Sequence, residues 1–181
     1  MFCYYKFTLE LYQTLGAACD LCHPNDMFAP RCACILADGF ERTLLSINKM
    51  LPGPSIQVCA GDRIIVDVTN AMDGYEATLH WHGLRQMSTQ YYDGVPMITQ
   101  CPINGGQTFR YQMISNEGTY FYHAHTGLQK FEGLSGSVIA RLPRSKDVLA
   151  EQFDHDLPQH VVFVTDWLHM HIEDKFPGLR T

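Results

Sequence analysis

At 181 residues the chain is long enough to bury one good core and the beginning of a second. A formal net charge of −6, with Lys and Arg nowhere concentrated, argues against a nucleic-acid partner gripped through its phosphates. No apolar run approaches the roughly 20 residues that cross a bilayer, so no transmembrane segment is predicted.

Cysteine usage narrows the compartment. There are seven cysteines, and Cys3, Cys19, Cys22, Cys32 and Cys34 crowd into the first 34 residues. That density predicts a disulfide-stapled segment made in an oxidising compartment, hence a secreted, extracellular protein. A zinc knuckle is the rival reading of Cys19-x-x-Cys22 and Cys32-x-Cys34, but the second half is poorly spaced for tetrahedral ligation. At least two bridges are expected among Cys3, Cys19, Cys22, Cys32, Cys34 and Cys59, and the odd count leaves one thiol over. Met1 to Glu10 lacks the basic start, apolar stretch and cleavage site of a secretion signal. Such a signal is expected to be already removed or to lie outside the sequence. No Asn-x-Ser/Thr sequon is present.

In chain order, Tyr4 to Gln13 alternates and is rich enough in aromatic and branched residues to be a strand. The cysteine-rich stretch, about 19–34, interrupts the pattern. Ser55 to Cys59 reads as a strand running into a Gly61-Asp62 turn. Arg63 to Thr69 follows, with Ile64, Val66 and Val68 on one face and Ile65, Asp67 and Thr69 on the other. Glu76 to His82 is the next strand, then a long loop to Pro102 and a tight turn at Asn104-Gly105-Gly106. Thr108 to Ile114, Thr119 to His125 and Leu134 to Leu142 complete the set. Short strands at this spacing predict an all-β fold, an antiparallel sandwich or barrel. Residues 1–143 read as one domain, 144–159 as a polar linker, and 160–181 as the truncated start of another, opening on a strand from His160 to Asp166.

Two histidine pairs carry the chemistry: His80-Trp81-His82 and His123-Ala124-His125. Residues i and i+2 of a strand share a face. Ala77, Leu79 and Trp81 make one face of the first strand apolar, so His80 and His82 are predicted to point away from the core. Two such pairs on neighbouring strands gather four imidazoles into one patch. Four such nitrogens without a thiolate favour Cu(II) or zinc. A third cluster, His169-Met170-His171 with Glu173, is expected to be a solvated loop or helix start.

The run from Leu79-His80-Trp81-His82-Gly83-Leu84 through Tyr91-Tyr92-Asp93-Gly94-Val95-Pro96, Thr99-Gln100-Cys101-Pro102-Ile103 and Gly118 to Gly127 resembles the first domain of multicopper oxidases. Residues His125 to Lys130 and the cysteine-rich segment are most similar to arthropod-type laccases. The resemblance implies a cupredoxin-like Greek-key β-sandwich. It implies that His80 is a ligand of a type 2 copper, and that His82, His123 and His125 are ligands of a type 3 copper pair. Asp93 matches an acidic residue that assists proton delivery during O2 reduction, and Cys101 one that pairs across domains, so it is expected to be free in this chain. Four of the family's trinuclear ligands are thereby supplied, which is half. The others lie in a third domain that this sequence does not contain. Ala124 stands where a His-Cys-His segment would carry the type 1 copper thiolate.

The implied whole enzyme is a laccase, oxidising diphenols or aromatic amines one electron at a time and reducing O2 to water. Its second and third cupredoxin domains would be this domain's partners. Ferroxidase and ascorbate oxidase are the alternatives on the same scaffold. A stand-alone extracellular copper-binding cupredoxin and a disulfide-stapled interaction domain are the alternatives outside it.

Overall fold

A computed structural model of the chain describes residues 1–22 and 32–175. Part of the cysteine-rich insertion, and the end of the chain, lie outside the described residues. Among the described residues there are eight strands: β1 (Phe2–Gln13), β2 (Thr43–Ile47), β3 (Ile56–Cys59), β4 (Arg63–Asn70), β5 (Leu79–His82), β6 (Thr108–Ile114), β7 (Gly118–Ala124) and β8 (Ser135–Arg141). They form two four-stranded sheets, ordered β2-β1-β4-β6 and β3-β8-β7-β5. Pairing is parallel at β1/β4 and β3/β8 and antiparallel at every other ladder. This is the cupredoxin-like sandwich expected from the sequence.

The alternation along β4 works as read. Ile64, Val66 and Val68 are fully buried between the sheets, and Asp67 on the other face pairs with Arg110 of β6. β2 was not expected, because Leu44-Leu45-Ser46-Ile47 is buried on both faces and shows no alternation. β5 begins three residues later than predicted, since Ala77 makes only an isolated bridge to Ile103.

The predicted strand from His160 to Asp166 is corrected: Pro158–His160 is a 3-10 turn and the residues after it belong to no sheet. The alternation of Val161 and Phe163, half-buried, with Val162 and Val164, exposed, is real. Among the described residues, however, no neighbouring strand offers it a ladder. It runs instead across the outer face of the second sheet, where Val161 to Thr165, Phe121, His123, Phe131 and Ser137 line a groove of about 470 Å³. Among the described residues no helix is long and apolar enough to cross a membrane.

The amino-terminal segment carries the two bridges expected, Cys19–Cys34 and Cys22–Cys32, which replaces the zinc-knuckle alternative. Cys3, Cys59 and Cys101 are free thiols.

Candidate metal centre

The site is fixed from below by Trp81. Its side chain is 1% exposed and lies 5.3 Å from the Tyr111 ring and 5.7 Å from that of Tyr122. Burying an aromatic of this size is worth roughly 3 kcal/mol, and it sets the rotation of β5. Tyr111 adds a tether between the sheets, its hydroxyl accepting the Leu79 N–H at 3.1 Å. With Leu79 and Trp81 facing inward, His80 and His82 must face outward.

On β7 the inward residues are Tyr122 and Ala124, which leaves His123 on the same outer face. The register places His123 directly opposite His80 and Phe121 opposite His82. His80 lies 5.4 Å from His123 and 5.7 Å from His82, ring centre to ring centre, and His82 stacks on Phe121 at 4.7 Å. The ligand atoms of His80, His82 and His123 all lie within 4.8 Å of one another. His125 sits one residue beyond the end of β7, its N–H donating to the Thr78 carbonyl, and its ring is 5.5 Å from that of His80. The structure therefore brings all four predicted histidines to one patch, three of them in a tight trio.

Hydrogen bonds set the tautomers. His80 Nδ1 is 2.7 Å from the Asp93 carbonyl and His123 Nδ1 is 2.8 Å from the Ala124 carbonyl. A carbonyl only accepts, so each Nδ1 carries its proton and each Nε2 keeps its lone pair. Burial depresses the pKa of both rings, against the pull of those carbonyls. His80 is lowered and His123 falls to about 4. Near neutral pH the His80 and His123 rings are uncharged, each with an Nε2 lone pair at the patch, and His123 Nε2 lies 3.5 Å from His82 Nδ1. Convergent imidazole nitrogens are what a cation satisfies, and an all-imidazole set without thiolate suits copper.

The placement of Asp93 was legible, but one of its contacts was not. Its carboxylate oxygen Oδ1 accepts the Val95 N–H at 3.1 Å and the Thr99 hydroxyl at 2.5 Å, which folds the loop back on itself. The backbone carbonyl of the same residue is what reaches His80. Gly94 makes this approach feasible: its φ is +86°, and a Cβ there would lie 1.8 Å from the Leu79 carbonyl oxygen. The Asp-Gly dipeptide signalled a turn, but nothing in it signalled a turn pressed against the histidine strand. His169 and His171 lie elsewhere. His169 stacks on Phe40 and meets Asp38 at 2.7 Å, while His171 leads into the single helical turn Ile172–Lys175.

A two-sheet sandwich with converging imidazoles on an outer face defines a metal-binding cupredoxin-type domain. The family described as multicopper oxidase matches residues 31–145, and the chain belongs to that family. It is 42% identical over 146 residues to Laccase-1 of Cryptococcus neoformans, covering 80% of this chain and 23% of that protein. It is 39% identical over 142 residues to the L-ascorbate oxidase of Cucurbita pepo, covering 78% of this chain and 25% of that one. The crystal structure of the laccase from Botrytis aclada superposes with a TM-score of 0.65 at 34% identity, covering 78% of this chain and 23% of the other. The chain thus spans about a quarter of the length of these relatives.

Proposed function

We propose that the chain is the first cupredoxin domain of a secreted, laccase-type multicopper oxidase and supplies half of its trinuclear copper ligands. The trio of imidazole ligand atoms of His80, His82 and His123 within 4.8 Å of one another is the observation that carries this reading. When bound, copper supplies the electron chemistry, taking electrons singly from a diphenol or aromatic amine and passing them to O2. In this reading His80 holds the type 2 copper and His82, His123 and His125 the type 3 pair. The Asp93 carbonyl fixes the His80 tautomer, and the Asp93 carboxylate, held by Val95 and Thr99 on Oδ1, assists proton delivery.

Residues 144–159 serve as the linker and 160–181 as the start of the second domain. The remaining ligands and the type 1 copper come from a third domain. Ala124, buried between His123 and His125 at the end of β7, leaves no thiolate at that position for electron entry. The likeness to an ascorbate oxidase supports a second reading of the reducing substrate, since the residues that would select it lie beyond this chain. Arthropod-type ancestry rests on the run His125 to Lys130 and on the cysteine-rich segment.

The test is a calorimetric titration of this chain with Cu(II), run beside oxygen uptake with a diphenol. Copper should bind without the intense visible band of a copper–thiolate bond, and turnover should be absent. Binding should hold at neutral pH and weaken in acid as protons compete for the imidazoles, with His80 and His123 protonated only below about 6.5 and His123 not until about 4. Oxygen uptake by this chain alone, or copper binding unchanged after His80→Ala and His125→Ala, would place the chemistry elsewhere and overturn the assignment.

A further inference from the structure

Two of the three free cysteines meet at one carboxylate, Cys3 through its thiol and Cys59 through its backbone N–H. Cys3 lies on the inward-facing row of β1 with Tyr5 and Phe7, half-buried against the core. Across the sandwich, β3 is an edge strand of the second sheet, and the backbone of alternate residues faces its open side. Tyr5 covers that side at Gln57: its hydroxyl lies 3.3 Å from both the Gln57 carbonyl and the Gln57 N–H. Two residues back along β1 is Cys3, and two residues on along β3 is Cys59. The two cysteines thus flank the Tyr5–Gln57 contact on the same side. Asp62 closes the gap, with Oδ2 accepting the Cys59 N–H at 3.0 Å and the Cys3 thiol at 3.7 Å.

We infer that Cys3 and Cys59 are a redox-active pair that closes into a third disulfide, stapling the first sheet to the open edge of the second. The two cysteines take different parts in the exchange. Cys59 is exposed and accessible to an oxidised thiol reagent such as glutathione disulfide. Burial, then the Asp62 carboxylate, and more weakly Cys59 itself, push the Cys3 thiol up, which makes it the slower partner. The Cys59 thiolate attacks glutathione disulfide and releases one reduced glutathione, leaving a mixed disulfide. The Cys3 sulfur then attacks the Cys59 sulfur, its proton leaves through Asp62 to water, and the second glutathione departs. Two electrons and two protons leave the protein, and one glutathione disulfide becomes two glutathiones. Closing the bond asks for the two Cβ atoms to come to about 4 Å of one another. Chemistry of this kind already operates in the molecule, in the bridges Cys19–Cys34 and Cys22–Cys32.

The test is mass mapping of the full chain after equilibration in a glutathione redox buffer, followed by alkylation and non-reducing digestion. The expected result is a joined peptide pair carrying Cys3 and Cys59, with Cys101 as the one alkylated cysteine. Recovery of Cys3 and Cys59 both alkylated, or of either joined to Cys101 or to glutathione, would overturn the inference. Two variants guard against misfolding as an explanation. Cys101→Ser should leave the joined pair intact, and Cys59→Ser should make Cys3 alkylatable and lower the melting temperature by on the order of 10 °C. An unchanged melting temperature in Cys59→Ser would likewise count against a staple.

Discussion

The histidine patch and the cluster around Arg42 both gather polar side chains from distant parts of the chain, and they end in opposite states. Arg42, buried just before β2, donates to Glu132, to the carbonyls of Thr43, Leu168 and Met170, and lies 4.7 Å from the Trp167 ring centre. Glu132 also accepts the Ile172 N–H. The Arg42 and Glu132 charges are answered inside the chain, although the buried Trp167 Nε1–H finds no hydrogen-bond partner among the described residues. It ties residues 167–172 to the first sheet. In the histidine patch the donor positions of His80 and His123 are spent on carbonyls behind them, and their Nε2 atoms face the patch. These lone pairs are open to a cation from outside. A polar cluster satisfied from within holds a fold together, whereas one left short of a single partner type marks a site.

This contrast predicts opposite responses to truncation, and the largest belongs to the closed cluster. Arg42→Ala strands Glu132 in a buried position without its counter-charge, which should cost about 3–5 kcal/mol by urea unfolding. Copper affinity of the fraction that remains folded should stay at the parent value. A variant as stable as the parent would mean that the ion pair is dispensable. Next is Gly94→Ala, which links fold and site. The added Cβ collides with the Leu79 carbonyl and the backbone sits at φ +86°, a combination worth roughly 2–3 kcal/mol. Because the Asp93 carbonyl must move with it, copper titration should show weaker binding as well as a lower melting temperature. Unchanged copper affinity in this variant would remove the Asp93 carbonyl from the account of His80.

Removing a ligand should invert the pattern. His80→Ala or His123→Ala should lower copper affinity by at least about 100-fold, since even loss of a supporting hydrogen bond costs 10–100-fold. Stability of the metal-free protein should change little, because no donor at the centre of the patch loses a partner. A large loss of metal-free stability with copper binding intact would make these histidines structural and erase the distinction from Arg42.

The same distinction explains what the sequence disclosed. Periodicity located β1, β3, β4, β6 and β7, whose residues alternate or differ in burial, while β8, buried on both faces, was found from its turn boundaries. It missed β2, where Leu44 to Ile47 is covered on both sides. The histidines were legible because ligands on strands must recur at i, i+2, and the turn at Gly94 because only glycine accepts that φ readily. Arg42 and Glu132 were not, since a buried ion pair leaves no local pattern: its partners are 90 residues apart. The residues after His160 misled for a related reason, because alternation reports which side is covered and not whether a neighbouring strand exists.

The smallest expected effect is the most diagnostic, because it reads the patch without metal. His123 has a pKa of about 4 in the folded chain, with burial the main cause, and near 6.5 unfolded. Its folded value is depressed, so the neutral ring is the form that the native state tolerates. Above about 6.5 both states are neutral and the stability is intact. As pH falls toward 4 the unfolded chain takes up the proton first, and stability declines until the native ring is protonated too. The loss should be of the order of 1 kcal/mol, below what the full shift implies, because exposed His82 and His125 keep water beside the ring. The paired carboxylates do not blur this window. Arg110 and Arg141 hold Asp67 and Asp156 below the usual carboxylate range, so their contributions disappear only at lower pH. Urea midpoints of the chelator-treated protein, taken at intervals across this range, should therefore slope downward in the parent and flatten in His123→Gln. Parallel slopes in the two proteins would show that His123 is as readily protonated as a free histidine, and the patch would lose its claim to be a set of neutral ligands awaiting a metal.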